Sequence, residues 1–286
     1  MANIRTIDVR EIAERVREAV KTINFHTPQP VMVQLDTILV QEPSPYGRQA
    51  MRDIVENRHI ASTQQVPMCQ DTGMAIVFVE LGQDVHLTGG DVRVAITDAV
   101  RQGYEEGFLR KSIVAEPLFE RRNTKDNTPP VIHFDIVPGD GVTLTVAAKG
   151  FGAENMSRAM VLTPAEGIAG VKREVVRCVE DAGPNACPPI VVGVGIGGTL
   201  DLAALLAKKA LMREVGAVGH NLDPRYAELE RELLDLVNAT GIGPQGWGGV
   251  NTATDVRIEW YPTHIAGIPL AINLDCHLQR HTRISF

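Results

Sequence analysis

Apolar residues in the first sixty positions recur every three to four residues, which is the spacing of amphipathic helices. This pattern predicts one helix over 7–23, a second over about 31–41 and a third over about 47–60. Paired prolines separate each of these helices from the next one. The beginning of the chain, about 1–62, is therefore predicted to form a small helical cap.

Strand-like patterns begin beyond residue 62 and are interspersed with further helical stretches. Two alternating runs flank the turn sequence 138–141, which predicts a β-hairpin. Helices and strands do not alternate strictly, so we expect an α+β fold with mixed β-sheets flanked by helices, in a body of about 63–286. The predicted strands cover 75–81, 132–136, 142–146, 189–194, 255–261 and 268–274.

Composition narrows the possible functions. The 286 residues are 44% hydrophobic and carry a net charge of -7, which is typical of a globular protein and argues against binding to nucleic acid. The most apolar stretch, 190–207, contains an aspartate and several glycines, so we expect no membrane span. The N-terminal residues contain no apolar signal segment, and a cytoplasmic location is expected.

The four cysteines fall into two classes. Cys178 lies on the apolar stripe of a predicted helix, which indicates a structural role. Cys69, Cys187 and Cys276, here called the loop cysteines, lie in loops next to predicted strands. Three thiolates are too few for a closed structural zinc or iron–sulfur site, but they could hold a cubane cluster with one open iron. A catalytic zinc site is the less favoured alternative.

Glycine-rich segments suggest a second class of function. Residues 193–198 match G-x-G-x-x-G between a predicted strand and a predicted helix, as a dinucleotide site requires. However, no acidic residue ends a second strand about 20 residues later. Such a turn would also bind a carboxylate. A nicotinamide-binding protein therefore stays as an alternative, and 149–155 and 241–249 are further candidate loops.

Taken together, these motifs resemble those of the iron–sulfur (class I) fumarase and tartrate dehydratase family. The resemblance extends over nearly the whole chain. The motifs that carry it are MCQDTG at 68–73, KGFGAEN at 149–155, CPP at 187–189, GVGIGG at 193–198, GIGPQG at 241–246 and NLDCH at 273–277.

The resemblance implies a [4Fe–4S] cluster that is ligated by Cys69, Cys187 and Cys276. It also implies that Gln70 and Asp71 face the substrate. Asp71 would assist a base on a partner subunit or relay its proton.

Other positions carried over from the family concern the substrate. Arg110 resembles the family arginine that grips a substrate carboxylate, a task that suits a guanidinium group. His264 would contact the substrate, and either Gly150 or Gly152 would offer a backbone N–H group. The chain departs from the family pattern at Phe151, where a small residue is expected.

The activity implied by the resemblance is the reversible hydration of fumarate to (S)-malate, a step of the tricarboxylic acid cycle, with a small dicarboxylate as substrate. L-Tartrate dehydratase of the same family is the alternative. The chain corresponds to the larger, cluster-binding alpha part of the family. The swivelling half is expected on a separate, smaller beta subunit, in a dimer of alpha–beta pairs that is active only when complete.

Overall fold

A computed structural model describes residues 4–213 and 221–286. The chain folds into two compact units, each assembled from separate stretches of sequence. The first unit consists of the residues up to Thr27, Arg58–Gly150 and Arg280–Phe286, and the second of Pro28–Asn57 and Phe151–Gln279. The mixture of helices and mixed sheets confirms the predicted α+β class.

The first unit packs two helices against a four-stranded sheet. Helix α1 buries Ile12, Val16 and Val20, and these side chains meet the apolar residues of the central strands. Asp91 caps α4 (Val92–Glu106) by accepting hydrogen bonds from the N–H groups of residues 93 and 94. The elements are β1 Arg5–Asp8, α1 Val9–Phe25, β2 Met74–Gly82, β3 Val85–Thr88, α4 Val92–Glu106, β4 Val131–Val137, β5 Val142–Lys149 and β10 His281–Ser285.

The predicted hairpin over 132–146 is wrong in its pairing, although both of its strands exist. The sheet order is β10-β5-β2-β4, so β2 lies between β4 and β5 and hydrogen-bonds to both. The N–H groups of residues 82–84 donate to carbonyls of residues 137–141, which places the end of β2 inside the turn. β2 takes an inner position in the sheet, and its consecutive residues 75–79 are all buried, so both of its faces are covered there.

The second unit has a sheet of order β6-β9-β7-β8 with helices on both faces. On one face, helices α6 (Gly167–Ala182) and α8 (Pro224–Asn238) pack against Val192 and Val194 of β7 (Ile190–Gly198). Helix α7 (Leu200–Leu211) covers the other face. The elements are α2 Gln29–Gln41, the first part of α3 Pro45–Gln64, α5 Phe151–Glu154, β6 Arg158–Leu162, α6 Gly167–Ala182, β7 Ile190–Gly198, α7 Leu200–Leu211, α8 Pro224–Asn238, β8 Ala253–Thr263 and β9 Ile268–Asp275.

The glycine motif at 193–198 is part of β7, where the alternative of a dinucleotide site required a turn. Gly193 and Gly195 alternate with the valines of β7 and face α7. A Cβ atom on Gly195 would lie 1.9 Å from the carbonyl oxygen of Ala203, and one on Gly193 would lie 2.2 Å from that of Ala207. These glycines therefore allow α7 to pack closely on the sheet. This packing role removes the structural basis for a nicotinamide site there.

The three predicted N-terminal helices are all present as α1, α2 and α3. Helix α1 belongs to the first unit and α2 to the second, while α3 contributes residues to both. Within the described parts of the chain, no helix is both long enough and apolar enough to cross a membrane.

Candidate active site

The segment 69–73 connects α3 to β2 in the first unit and carries three of the predicted site residues. The Cys69 thiol is half-buried, and its sulfur accepts a hydrogen bond from the Asp71 N–H group at 3.4 Å. The side-chain oxygen of the exposed Gln70 lies 3.4 Å from the same sulfur. Asp71 Oδ1 accepts the Gly73 N–H group at 3.0 Å, which closes an Asx turn. Asp71 therefore has a structural role here in addition to its predicted catalytic role.

Buried side chains donate hydrogen bonds to the backbone carbonyls of residues 71–73. Arg280 donates to the Asp71 carbonyl at 2.8 Å. The Tyr104 hydroxyl lies 2.9 Å from the carbonyl oxygens of both residue 72 and residue 73. Asn127 Nδ2 donates to the carbonyl of residue 73 at 3.1 Å. Burial raises the pKa of the Tyr104 hydroxyl far above its ordinary value, so the hydroxyl remains a donor at neutral pH. All three side chains have little or no exposure to water, and their contacts make this loop rigid.

Arg110 and Gly150 lie beside the same loop. The Arg110 side chain is exposed, while its carbonyl accepts a hydrogen bond from Thr72 Oγ1 at 3.2 Å. A Cβ atom on Gly150 would lie 3.4 Å from Asp71 Oδ2. The first unit thus brings together Cys69, Gln70, Asp71, Arg110 and Gly150, five of the nine residues that the sequence singled out.

Cys187 and Cys276 lie at one end of the sheet of the second unit. Cys187 follows a 3₁₀ turn over 183–186 in the left-handed conformation, with φ of 55°. Cys276 follows β9, and its neighbour Asp275 pairs with Val191 near the start of β7. The imidazole Nδ1 of His277 lies 3.1 Å from the Cys187 carbonyl oxygen. These contacts hold the two cysteines near each other.

The glycine-rich loop 241–249 reaches the same end of the sheet. Gln245 Nε2 donates to the Pro188 carbonyl at 2.7 Å and lies 3.3 Å from His277 Nδ1. The carboxylate of Glu42 has no exposure to water and accepts the N–H groups of Val250 and Asn251, each at 3.2 Å. A Cβ atom at position 249 would lie 2.4 Å from that carboxylate, which explains the glycine there. Glu42 thus anchors the loop that presents Gln245.

Gly152 and His264 occupy different parts of the second unit. Gly152 lies in α5, where a Cβ atom would come within 3.1 Å of the carbonyl of Asn185, two residues before Cys187. His264 is exposed in the connection between β8 and β9, and its Nδ1 accepts the Ala266 N–H group at 3.2 Å. The preceding residue, Thr263, pairs with the last residue of β7. His264 is therefore separated from Cys187 and Cys276 by the length of β7, about 25 Å at 3.3 Å per residue.

Cys178 differs from the loop cysteines in every respect that matters for metal binding. Its side chain has no exposure to water, and its thiol donates a hydrogen bond to the Met156 carbonyl at 3.3 Å. Burial raises the pKa of the Cys178 thiol to about 11, which opposes the thiolate that a metal requires. The predicted structural role of this cysteine is confirmed.

No group of three or more His, Cys, Asp or Glu side chains in residues 4–213 and 221–286 is arranged to hold a metal ion. The first unit contains Cys69, and the second contains Cys187 and Cys276. The ligand set of three cysteines therefore stays a prediction.

The family model described as fumarate hydratase (Fumerase) matches residues 13–285 of the chain. The chain belongs to this hydro-lyase family. A protein of Methanocaldococcus jannaschii, provisionally named L(+)-tartrate dehydratase subunit alpha, is 38% identical over 94% of this chain and 95% of its own length. The L(+)-tartrate dehydratase subunit alpha of Escherichia coli K12 is 33% identical over 95% of this chain and 89% of its own length.

In this member of the fumarate hydratase family, the sequence reasoning missed several residues that build the site. His277 and Gln245 lie within the motifs that carried the resemblance, but no role was assigned to them. Asn127 and Arg280 lie outside the residues singled out. Their backbone partners are 54 and 209 positions away, so no local pattern indicates them. An asparagine just before Thr128–Pro129 is at most a turn signal.

Proposed function

We propose that this chain is the cluster-binding alpha subunit of a [4Fe–4S]-dependent hydro-lyase that interconverts (S)-malate and fumarate plus water. The observation that supports this best is the construction of the 69–73 loop. It carries a half-buried thiol, an amide and a carboxylate, and Arg110 is tied to it through Thr72. A dicarboxylate dehydratase requires a cationic side chain that binds a substrate carboxylate, and it requires this cation to lie beside a thiolate ligand and a group that takes part in proton transfer.

The donor set of the loop cysteines fits such a cluster. All three thiols are half-buried, and the N–H···S hydrogen bond from Asp71 to Cys69 is of the kind that stabilises a cluster-bound thiolate. We assign Cys178 a structural role instead, because its buried thiol donates to the Met156 carbonyl. When bound, the cluster would supply a Lewis-acidic iron that helps the hydroxyl group to leave.

The residues of the chain itself divide the remaining work. Arg110 would bind one substrate carboxylate through its guanidinium fork, while Gln70 would orient the substrate beside the cluster. Asp71 would assist the base on the beta subunit that removes the C3 proton, or relay the proton from that base. Gly150, which lies against Asp71, would offer a backbone N–H group to the developing negative charge, with Gly152 as the alternative donor.

His264 would complete the substrate contacts. Within one chain, the length of β7 separates His264 from Cys187 and Cys276, and a four-carbon acid is too short to span it. His264 would therefore contact a substrate that is held at a different copy of the chain. This role is assigned by the resemblance, and an alanine variant of His264 tests it through the Michaelis constant.

A second candidate reaction is the dehydration of L(+)-tartrate, which the names of the relatives favour. Malate and tartrate are both four-carbon hydroxy dicarboxylates, and tartrate carries one additional hydroxyl group. The roles proposed for Arg110 and Asp71 apply to both acids. Because a buried polar group discriminates strongly between substrates that differ by a hydroxyl, the complete enzyme should prefer one acid clearly.

The relatives are named as alpha subunits, and we propose that this chain likewise requires a beta subunit for activity. The beta subunit would supply the remaining substrate contacts and the base at C3. We further propose that two alpha–beta pairs form the complete enzyme. Light scattering of the purified complex should give a mass that corresponds to two copies of each chain.

The cluster assignment is tested by iron and sulfide analysis after anaerobic reconstitution of the chain. Replacement of any one loop cysteine by alanine should abolish stable cluster binding. Cys178→Ala should retain full iron, which makes it the matched control. Full iron in the Cys187→Ala variant, or its loss in Cys178→Ala, would contradict the assignment.

The reaction is tested with the reconstituted chain and its beta subunit together. Formation of fumarate from (S)-malate is followed by ultraviolet absorbance, and L(+)-tartrate is assayed in parallel for a keto acid product. Turnover of malate by the complex but not by the alpha chain alone is the expected result. Turnover of tartrate only would establish the second candidate reaction in its place.

A further inference from the structure

Asn127 connects two segments that carry predicted substrate-binding residues. Its side chain has no exposure to water. Its Oδ1 accepts the Ser112 N–H group at 2.7 Å, and its Nδ2 donates to the Gly73 carbonyl at 3.1 Å. Ser112 lies two residues after Arg110, and Gly73 lies two residues after Asp71. One buried amide thus fixes the backbone just after Arg110 and just after Asp71.

The surrounding contacts make this bridge rigid. The long connection between α4 and β4 is held at its far end by Asp126, whose carboxylate accepts a hydrogen bond from Arg101 of α4 at 2.9 Å. Thr72 Oγ1 donates to the Arg110 carbonyl and forms a second tie, parallel to the one through Asn127. Leu109 is buried just before Arg110, and backbone hydrogen bonds join the two halves of the connection, as from Thr124 N–H to the Ile113 carbonyl at 2.9 Å. Asn127 and Thr72 are the side chains that tie this connection to the 69–73 loop.

The backbone at position 127 suits asparagine. Its φ is 61°, in the left-handed region that asparagine and glycine adopt more easily than other residues. An asparagine there satisfies the conformation and provides one donor and one acceptor at a buried point. Glycine would preserve the conformation and remove both bridging hydrogen bonds, together with the contact between the amide and the Tyr104 hydroxyl. Aspartate would preserve the acceptor for Ser112 but lose the donor to Gly73.

We propose that Asn127 is a positioning residue that sets the distance between the Arg110 guanidinium and the Asp71 carboxylate, and thereby the binding of the substrate carboxylate. The proposal rests on the proposed function for its consequence in catalysis. The bridge itself can be tested without activity. A shift of about 1 Å in the position of a binding group can lower the rate about 10²-fold, so the effect should be measurable.

The first experiment is limited trypsin digestion of the full chain carrying Asn127→Gly or Asn127→Asp. Trypsin cleaves after Arg110 and Lys111, and also after Arg121 and Arg122 in the exposed part of the same connection. Asn127→Gly should raise cleavage after residues 110 and 111 at least several-fold, because the Ser112 N–H group loses its acceptor. Asn127→Asp should raise it as well, because its buried carboxylate would face the Gly73 carbonyl oxygen even though the acceptor for Ser112 remains. Cleavage after residues 121 and 122 should stay at the wild-type rate.

The comparison variant is Asn123→Gly, which removes a different tie of the same connection. Asn123 Nδ2 donates to the Lys111 carbonyl at 2.8 Å and its Oδ1 accepts the Lys125 N–H group at 2.7 Å, so this variant loosens the connection but leaves the bridge to Gly73 intact. Circular dichroism of each variant establishes that the fold is retained. A general loss of stability would raise cleavage at all sites together, which would contradict the proposal.

The second experiment is a double-mutant cycle in the reconstituted complex with the preferred dicarboxylate. Asn127→Gly should lower kcat/KM at least about tenfold, mainly through KM, with full iron retained. In an Arg110→Lys background the same change should cost less than about twofold, because the guanidinium that it positions is already gone. Asn123→Gly should leave both values near those of the wild type.

Unchanged cleavage after residues 110 and 111 in Asn127→Gly would overturn the bridge. If the fold losses of kcat/KM in Asn127→Gly and Arg110→Lys multiply in the double variant, the proposal that Asn127 acts through Arg110 is overturned. A complex that turns over neither malate nor tartrate would instead contradict the proposed function, and the digestion result would still decide whether Asn127 holds the Arg110 segment.

Discussion

The substitution Glu42→Gln tests whether a buried carboxylate organises the loop 241–249, which lies at the same end of the sheet of the second unit as Cys187 and Cys276. Four N–H groups point at the Glu42 carboxylate: those of Ser44 at 3.0 Å, Val250 and Asn251 at 3.2 Å, and the side-chain amide of Asn251 at 2.7 Å. Glutamine has nearly the same shape but offers a single oxygen. Whichever way the new amide turns, at least one of the four donors faces an NH₂ group.

The size of the effect follows from these contacts. A buried donor without an acceptor costs about 1–3 kcal/mol. The three remaining hydrogen bonds lose their charged acceptor, which weakens each by about 1 kcal/mol. A neutral amide is easier to bury than a carboxylate. This gain offsets roughly half of the combined cost of the unpaired donor and the weakened hydrogen bonds. We therefore expect the free energy of unfolding of the second unit to fall by about 3 kcal/mol.

Urea unfolding followed by tryptophan fluorescence measures this directly. The chain has two tryptophans, Trp247 and Trp260, and both belong to the second unit. Glu228→Gln is the matched control, since its carboxylate is 62% exposed in a surface pair with Arg231 and should change stability by less than about 1 kcal/mol. A change below about 1 kcal/mol in Glu42→Gln would refute the anchoring role.

Three further predictions concern the site and the packing of the sheet. Arg110→Lys keeps the charge but loses the fork, so KM should rise about 10–100-fold in the steady-state kinetics of the complex. Asp71→Asn should lower kcat by about 10²–10⁴-fold at full iron occupancy, and a kcat near that of the wild type would make Asp71 only a turn residue. Gly195→Ala should destabilise the chain by at least about 2 kcal/mol in thermal unfolding, because the new methyl group would overlap the backbone of α7. Gly141→Ala, where no atom lies within 4 Å of the new Cβ, is the control and should change stability by less than about 0.5 kcal/mol.

Local patterns in the sequence predicted the helices and most of the buried strands. The apolar period of α1 and the Asp91 cap of α4 can be recognised without knowing any distant partner, because each depends on residues that are close in sequence. The same patterns missed β1, β3, β6 and β10. Each of these strands is five residues or shorter. β6 and β10 pair with the longer strands β9 and β5, while β1 and β3 pair with each other, so each becomes a strand only through a partner that is distant in sequence.

The glycine motif at 193–198 shows where a local pattern misleads. Its spacing fits a phosphate-binding turn, but alternate glycines are equally suited to a strand on which a helix packs closely. Only the position of Ala203 and Ala207 in α7, opposite Gly195 and Gly193, distinguishes the two structures. The error over the hairpin at 132–146 has the same origin, since the strand that separates its two halves precedes them by fifty residues.

The sequence by itself determined the fold class, the family and the separation of Cys178 from the loop cysteines, because these depend on local periods and on motifs of a few residues. Only the tertiary structure decided that Asn127 and Arg280 hold the loop at Asp71, and that Glu42 anchors residues 208 positions away. The physical reason is that a buried polar group needs a partner with the right geometry. The chain brings that partner near only when distant segments have packed.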